Sequence, residues 1–450
     1  MPSEPAAPPS SASPGVLDRL LRLFSDVRPG ESGTVLLMLL NLFLLFFGYY
    51  VMKVVRDTVI VASGGATAKA YSSAGQALVL MGFIPLYSWF ASRVNRIKLI
   101  VGVMLFFIGT LELFAVGFAR NVPWITVAFF IWLGIYNVAT PAQFWSFAND
   151  LYRKDAGERL FPVIAIGATA GAPLGSELAA RLFKARVDLF AMLQIAAAIL
   201  LVTVALYAIV QRRESRRPGQ AKVAQAPIGS GQGFALVFAS PYLRLIALLL
   251  VLLNVVNTNG NFILDSAFAR AATAAAAADA SVSKQDVLGG LYGDFYFYQN
   301  LLAVLLQALL VSRIVKHLGM AGVLLTLPLV AFGGYGLIAL GAGLSVVRSV
   351  KIAENATDYS VMNTGRQMLW LPTRREEKYK AKQTVDTFFV RTGDVISALL
   401  VAAGVAWLGL QPAGFALVNL VLVVAWLGVA VVVLRENRRV VAQAQTTEAA

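Results

Sequence analysis

Tyr49–Val61 reads YYVMKVVRDTVIV. It follows a long apolar run, Val35 to Phe47, and carries Lys53, Arg56 and Asp57 at a depth where a membrane helix ordinarily carries no charge. A charge near the bilayer centre costs at least about 2.5–3.5 kcal/mol, so an ionisable residue there points to function. Lys53, Arg56 and Asp57 are spaced i, i+3, i+4 and share one helical face. That face cannot look at lipid. It reads as the wall of a polar cavity around which the rest of the chain is arranged.

The chain has 450 residues, 58% of them hydrophobic and 14% charged. An ordinary soluble domain carries about 25% charged residues. Apolar runs of roughly 20 residues recur, which is the pattern of a polytopic helical membrane protein. The alternation expected of an outer-membrane barrel is absent. About twelve spans are expected from hydropathy. Span 1 covers Val35–Val61, span 2 Ser72–Ala91, span 3 Leu99–Phe118, span 4 Trp124–Asn149, span 5 Phe161–Phe183 and span 6 Leu189–Val210. Span 7 covers Tyr242–Phe268, span 8 Leu288–Val311, span 9 Met320–Val347, span 10 Val350–Leu371, span 11 Thr384–Leu408 and span 12 Ala413–Leu434. In span 5, Gly167, Gly171 and Gly175 fall four apart, a spacing that lets helix backbones approach.

The organisation follows from these spans. Residues 1–31 form a tail with a short amphipathic helix at Leu17–Phe24, and residues 32–210 a six-helix bundle. Residues 211–240 are a basic linker, 241–434 a second six-helix bundle and 435–450 a closing tail. Met1 to Pro14 is rich in Pro, Ser and Ala and shows no secretory signal. The net charge is +14, and Lys and Arg gather in the loops after spans 2, 4, 6, 8, 10 and 12. The positive-inside rule therefore puts both termini in the cytoplasm.

The two halves repeat each other weakly. ASRVNRIKLIVGV closes span 2 and VSRIVKHLGMAGV closes span 8, each a Ser-Arg followed by a short basic turn. Asp57 near the end of span 1 corresponds to Asp265 near the end of span 7, and Lys53 to Asn261. The expected fold is all-α, with two pseudo-symmetric six-helix bundles of major-facilitator type and a site at the midplane between them.

Several segments, in order, resemble a known family. YYVMKVVRDTVIV is similar to the first-span signature of the ATP/ADP translocases, the nucleotide transporters of plastids and intracellular bacteria. Gln143–Asp150 (QFWSFAND), Arg159–Gly171 (RLFPVIAIGATAG), Tyr292–Phe295 (YGDF) and Gln367–Asp394 resemble further segments of that family. The set covers most of the chain between Tyr49 and Asp394. It implies the fold and a nucleotide-transporter ancestry, in a divergent bacterial branch. The departures are specific. The family carries an acid in span 4, where Val122 to Asn149 has none. Its span 7 glutamate falls nearest Asn257, and its Arg-x-Gly-Lys in span 11 reads Arg391-Thr-Gly393-Asp394 here.

Anion recognition falls to Lys53 and Arg56 first and to Arg391 from the other half, because guanidinium forks match phosphate and carboxylate geometry. Asn254, Asn257, Asn259 and Asn261 surround Gly260 in span 7, a polar patch expected of a broken helix beside the substrate. Asn257 and Asn261 are the substrate-binding candidates among them. Asp57, Asp294, Asp386 and Asp394 are candidate coupling acids or counter-ions. Asp57 and Asp394 read as counter-ions, since each has an Arg within three residues; Asp294, in LYGDFYFY, reads as the protonatable acid. Span 10 is polar, with Glu354, Asn355, Asp358, Asn363 and Arg366. Tyr136 with Asn137, and Tyr296 with Tyr298, are candidates to stack on a ring.

Enzyme chemistry is disfavoured. The chain has no cysteine and one histidine, His317, placed in a loop. It has no P-loop, HExxH or nucleophile-elbow pattern. No cofactor or metal site is expected, and the basic loops are too short for a nucleic-acid domain. The expected function is secondary active transport of nucleotides or a related anionic metabolite by alternating access, by a monomer. A proton-coupled transporter of another small solute and a non-transporting membrane scaffold are the alternatives.

Overall fold

One residue divides the first helix. Ser32–Ala91 is helical except at Gly65, with φ 71° and ψ −173°. Glycine takes that backbone geometry at no steric cost because it lacks a Cβ. Lys69 Nζ lies 3.5 Å from Asp57 Oδ2, although the 12 positions between them would span about 18 Å of straight helix. The chain therefore folds back at Gly65, and spans 1 and 2 are its two arms. The expected loop GGATAKAYSS is replaced by this one hinge, which puts Lys69 inside span 2.

The computed structural model describes residue 28 and residues 31–91, 93–94, 96–152, 154–214, 233–374 and 376–449. The amphipathic segment Leu17–Phe24, most of the linker and Arg153 lie outside the described residues. Spans 3 to 6 are Arg96–Ala119, Ile125–Leu151, Lys154–Lys184 and Leu189–Glu214. A short helix, Gly233–Ala239, precedes span 7, Pro241–Ala278, and span 8 is Lys284–Leu309. Val311–Ala339 breaks at Gly319 (φ 58°), so the basic turn after span 8 is itself helical and His317 sits on it, exposed. Span 9 follows that break and ends at Ala339, short of the expected Val347. Span 10 starts as Leu344–Thr357 and continues through a π-turn, Asp358–Met362, into Asn363–Leu369. Span 11 passes through two more π-turns, Glu377–Ala381 and Val385–Phe389, before Val390–Ala406. Span 12 opens Pro412–Ala449.

Span 7 runs past its expected end at Phe268 through the Ala-rich residues 271–278, in keeping with alanine's high helix propensity. Nine helices among the described residues are long and apolar enough to cross a membrane. One of these holds both spans 1 and 2. Span 8, with its polar YGDFYFYQN, and the interrupted span 10 complete the twelve. Residues 31 and 449 then lie on one side, here the terminal side; Gly65 and the turns 185–188, 279–283 and 407–411 lie on the far side.

The glycine ridge of span 5 packs as its spacing requires. A Cβ on Gly167, Gly171 or Gly175 would collide with the main-chain oxygens of Leu39, Phe43 and Phe47, respectively, in span 1. This contact fixes span 1, and with it the charged face after Tyr49, against the first bundle. Between the bundles, the Phe183 ring and Ala180 of span 5 close on Gly289 and Gly293 of span 8. Both contacts lie toward the far side.

Candidate functional site between the bundles

Span 1 supplies the first wall of a polar cavity of about 180 Å³. Arg56 forks onto its neighbour: Nε and Nη2 each lie 2.8 Å from Asp57 Oδ1. Tyr296 of span 8 donates to the other oxygen of Asp57. Lys69 of span 2 lies 3.5 Å from that oxygen and 2.8 Å from Asp265 Oδ1 of span 7. Tyr292 donates to the same Asp265 oxygen at 2.6 Å. These bonds form one continuous chain across both bundles, and its residues are buried. In so dry a setting, charge-assisted bonds are worth more than at a surface.

Lys53 behaves differently. The cavity's ion pairs engage Arg56, Lys69 and Arg391, and Lys53 takes part in none among the described residues. Its ammonium lies 4.2 Å from the Tyr296 ring centre and 5.0 Å from that of Tyr50. Cation–π contact of this kind solvates a cation without cancelling its charge. Lys53 is 9% exposed, so it is a buried cation outside the ion pairs of the cavity.

The second bundle supplies the opposite wall. Asp394 accepts from Asn254 Nδ2 (2.8 Å) and Thr258 Oγ1 (2.9 Å) and pairs with Arg391 (3.3 Å). Asn261 donates to Asn257 Oδ1 at 3.1 Å. Tyr359, within the π-turn of span 10, lines the cavity and is 46% exposed. π-turns in transmembrane helices recur at functional sites.

The structure thus brings together Lys53, Arg56, Asp57, Asn257, Asn261, Arg391 and Asp394. It does not bring Asp294 or Asp386 to the cavity. Asp294 bonds Lys184 at 2.8 Å across the bundles, and exposed Asp386 bonds Lys382 at 2.8 Å. The span 7 helix is unbroken at Gly260. That glycine instead clears room for the Tyr335 hydroxyl and Lys351 Nζ, both of which a Cβ there would strike. Of the ring-stacking candidates, Tyr296 lines the cavity, Tyr136 stacks on Tyr49 within the first bundle, and Tyr298 is exposed.

Lys69 was hidden by its assignment to a loop. Lys351 was hidden beside the boundary drawn between spans 9 and 10. A signal existed for the second: Lys351, Glu354, Asn355 and Asp358 recur at i, i+3, i+4, i+7, one polar helical face inside a span.

No protein-family model matches the chain. It is 21% identical over 437 residues to ADP,ATP carrier protein 1 of Chlamydia trachomatis, covering 81% of this chain and 80% of the carrier. The carrier of the same name from Chlamydia muridarum matches at 21% over 439 residues, with the same coverage of each chain. Among solved structures, the nucleoside transporter NupG superposes with a TM-score of 0.64 at 12% identity, over 89% of this chain and 98% of NupG. A bacterial homologue of the iron transporter ferroportin, in its inward-facing state, gives 0.62 at 16% identity, over 90% and 98%. These proteins are transporters and not enzymes. The chain is a multi-pass, all-α membrane protein with the major-facilitator fold, similar over four-fifths of its length to ADP,ATP carrier proteins.

Proposed function

We propose that the protein is a secondary transporter of an anionic, nucleotide-type metabolite, working by alternating access between its two bundles. The observation that carries this reading is Lys53, a buried cation on the cavity wall with no ion-pair partner among the described residues. Arg56 and Arg391, from opposite bundles, flank the same space. The similarity to ADP,ATP carriers supports the nucleotide type, and the cavity itself speaks against a scaffold. Binding sites for drug-sized ligands run to about 300–1,000 Å³, so a nucleotide-sized solute needs the bundles to part further than they do here.

The positive-inside rule makes the terminal side cytoplasmic, in the inner membrane of a bacterium. The Lys69–Asp57–Asp265 chain then forms the ceiling on the outer side, and the exposed Tyr359 marks the route from the cytoplasm. Transport requires the ceiling to open while the cytoplasmic ends close. Uptake of labelled ATP, ADP, AMP and the singly charged methyl ester of AMP into proteoliposomes tests the reading, and movement of any one of them supports it. Transport by the native protein, reduced at least about 100-fold in Lys53→Ala by loss of the charge partner, is the expected result. If no nucleotide is bound or moved, the reading fails. Transport that collapses with the proton gradient and needs no counter-substrate would favour the proton-coupled alternative.

A further inference from the structure

The cavity can be counted as well as described. Its lining holds four cations, Lys53, Arg56, Lys69 and Arg391, and three carboxylates, Asp57, Asp265 and Asp394. The difference, 4 − 3, is one positive charge. The charged side chains behind this lining form neutral pairs, Arg366–Asp358 at 2.8 Å and Lys351–Glu354 at 2.9 Å. Every carboxylate is already engaged: Asp57 by Arg56, Asp265 by Lys69, Asp394 by Arg391. The rest of the wall offers neutral hydrogen-bonding groups, among them Asn257, Asn261, Asn355 and Gln76, and the rings of Phe130 and Tyr359.

We propose that this cavity selects a singly charged anion bearing neutral polar groups, and rejects nucleoside di- and triphosphates. The proposal rests on the anion-transport reading above and narrows it. A monoanion at Lys53 leaves the site neutral. A nucleoside triphosphate, with about four negative charges, would leave roughly three uncompensated in a membrane interior. Each uncompensated charge in that setting weakens binding by about 60–300-fold. Lys53 and Asp394 are the specificity-determining residues. Lys53 is the surplus cation, and Asp394 is the carboxylate whose removal raises the surplus without touching the Lys69 bridge.

The test is a charge series on one scaffold: adenosine, adenosine 5′-(methyl phosphate), AMP, ADP and ATP. Binding to the purified full-length protein is measured by calorimetry. Affinity is expected to peak at the singly charged methyl phosphate and to fall about 60–300-fold with each further charge. In Asp394→Asn the peak should move to AMP, and in Lys53→Met to uncharged adenosine. Size-exclusion profiles identify a variant that does not fold, and the native series stands without it. Affinity that rises from the methyl phosphate to ADP or ATP overturns the charge count but leaves anion transport standing. Adenosine bound as tightly as the methyl phosphate also overturns it. Binding of none of the five by a monodisperse protein overturns the transport reading beneath it.

Discussion

Two groups of buried charge lie within the membrane-spanning part of this protein, and they are built on opposite plans. In the second bundle, Lys351 and Glu354 stand three residues apart on one helix, 2.9 Å from each other and both within 2% of full burial. The Tyr335 hydroxyl donates to Glu354 at 2.7 Å, and Lys351 also reaches the Asn257 carbonyl at 3.3 Å. All of these groups belong to spans 7, 9 and 10, so the set lies within one bundle. The cavity group draws Lys53, Arg56 and Asp57 from span 1, Lys69 from span 2, Asp265 from span 7 and Tyr296 from span 8. It spans the joint between the bundles and keeps one cation over. Buried charge alone does not mark a transport site. On the transport reading proposed above, the mark is charge shared between the two bundles and charge left unmatched.

The contrast predicts different failures. Glu354→Ala leaves Lys351 buried without its partner, a loss of about 3–5 kcal/mol by analogy with other broken buried pairs. Thermal unfolding in detergent should report it as the largest destabilisation among these variants. The double change Lys351→Met with Glu354→Leu should recover most of that stability, because a well-packed apolar pair of similar volume replaces a neutralised one. If the double variant unfolds as readily as the single one, the pair does more than satisfy itself.

The ceiling comes next in size. Lys69→Met removes the ammonium that joins Asp57 to Asp265 and leaves the first bundle without its bridge to span 7. Bonds to charged groups are worth about 1.5–3 kcal/mol each, so far-side opening should become about 10–100-fold more populated. The chain contains no cysteine, so Ala180→Cys, placed against Gly293, gives a single-site probe. Its labelling by a membrane-impermeant maleimide should rise by that factor in the Lys69→Met background. Unchanged labelling would show that the bridge does not hold the far side shut.

The two plans were unequally legible in the sequence. Charges at i, i+3, i+4 in span 1 announced the cavity because no lipid-facing helix tolerates them, and the glycine ridge of span 5 announced its contact with span 1. The Asp57–Asp265 correspondence also emerged, since the halves repeat. Lys69 did not, because a single positive-φ glycine made a turn that hydropathy reads as a loop. The π-turns of spans 10 and 11 were equally hidden. They leave no periodic mark in the sequence. Asp294 misled for a related reason: an acid in an aromatic segment reads as desolvated, but Lys184, 110 positions away, lies 2.8 Å from it.

That pair gives the smallest effect and the sharpest control. Lys184–Asp294 and Lys69–Asp265 both cross between the bundles, and both measure 2.8 Å from nitrogen to oxygen. They differ in solvent. The side chains of the first are 56% and 26% exposed, and those of the second 10% and 3%. Water and salt screen an exposed pair, whose worth is about 0–1 kcal/mol. Asp294→Asn should therefore raise labelling of the Ala180→Cys probe by no more than about fivefold. Transport should be nearly unchanged, and raising the salt concentration should reproduce the small effect. If Asp294→Asn opens the far side as fully as Lys69→Met, burial is not what separates the two pairs. If it instead abolishes the pH dependence of transport, Asp294 returns as the coupling acid, acting from outside the cavity.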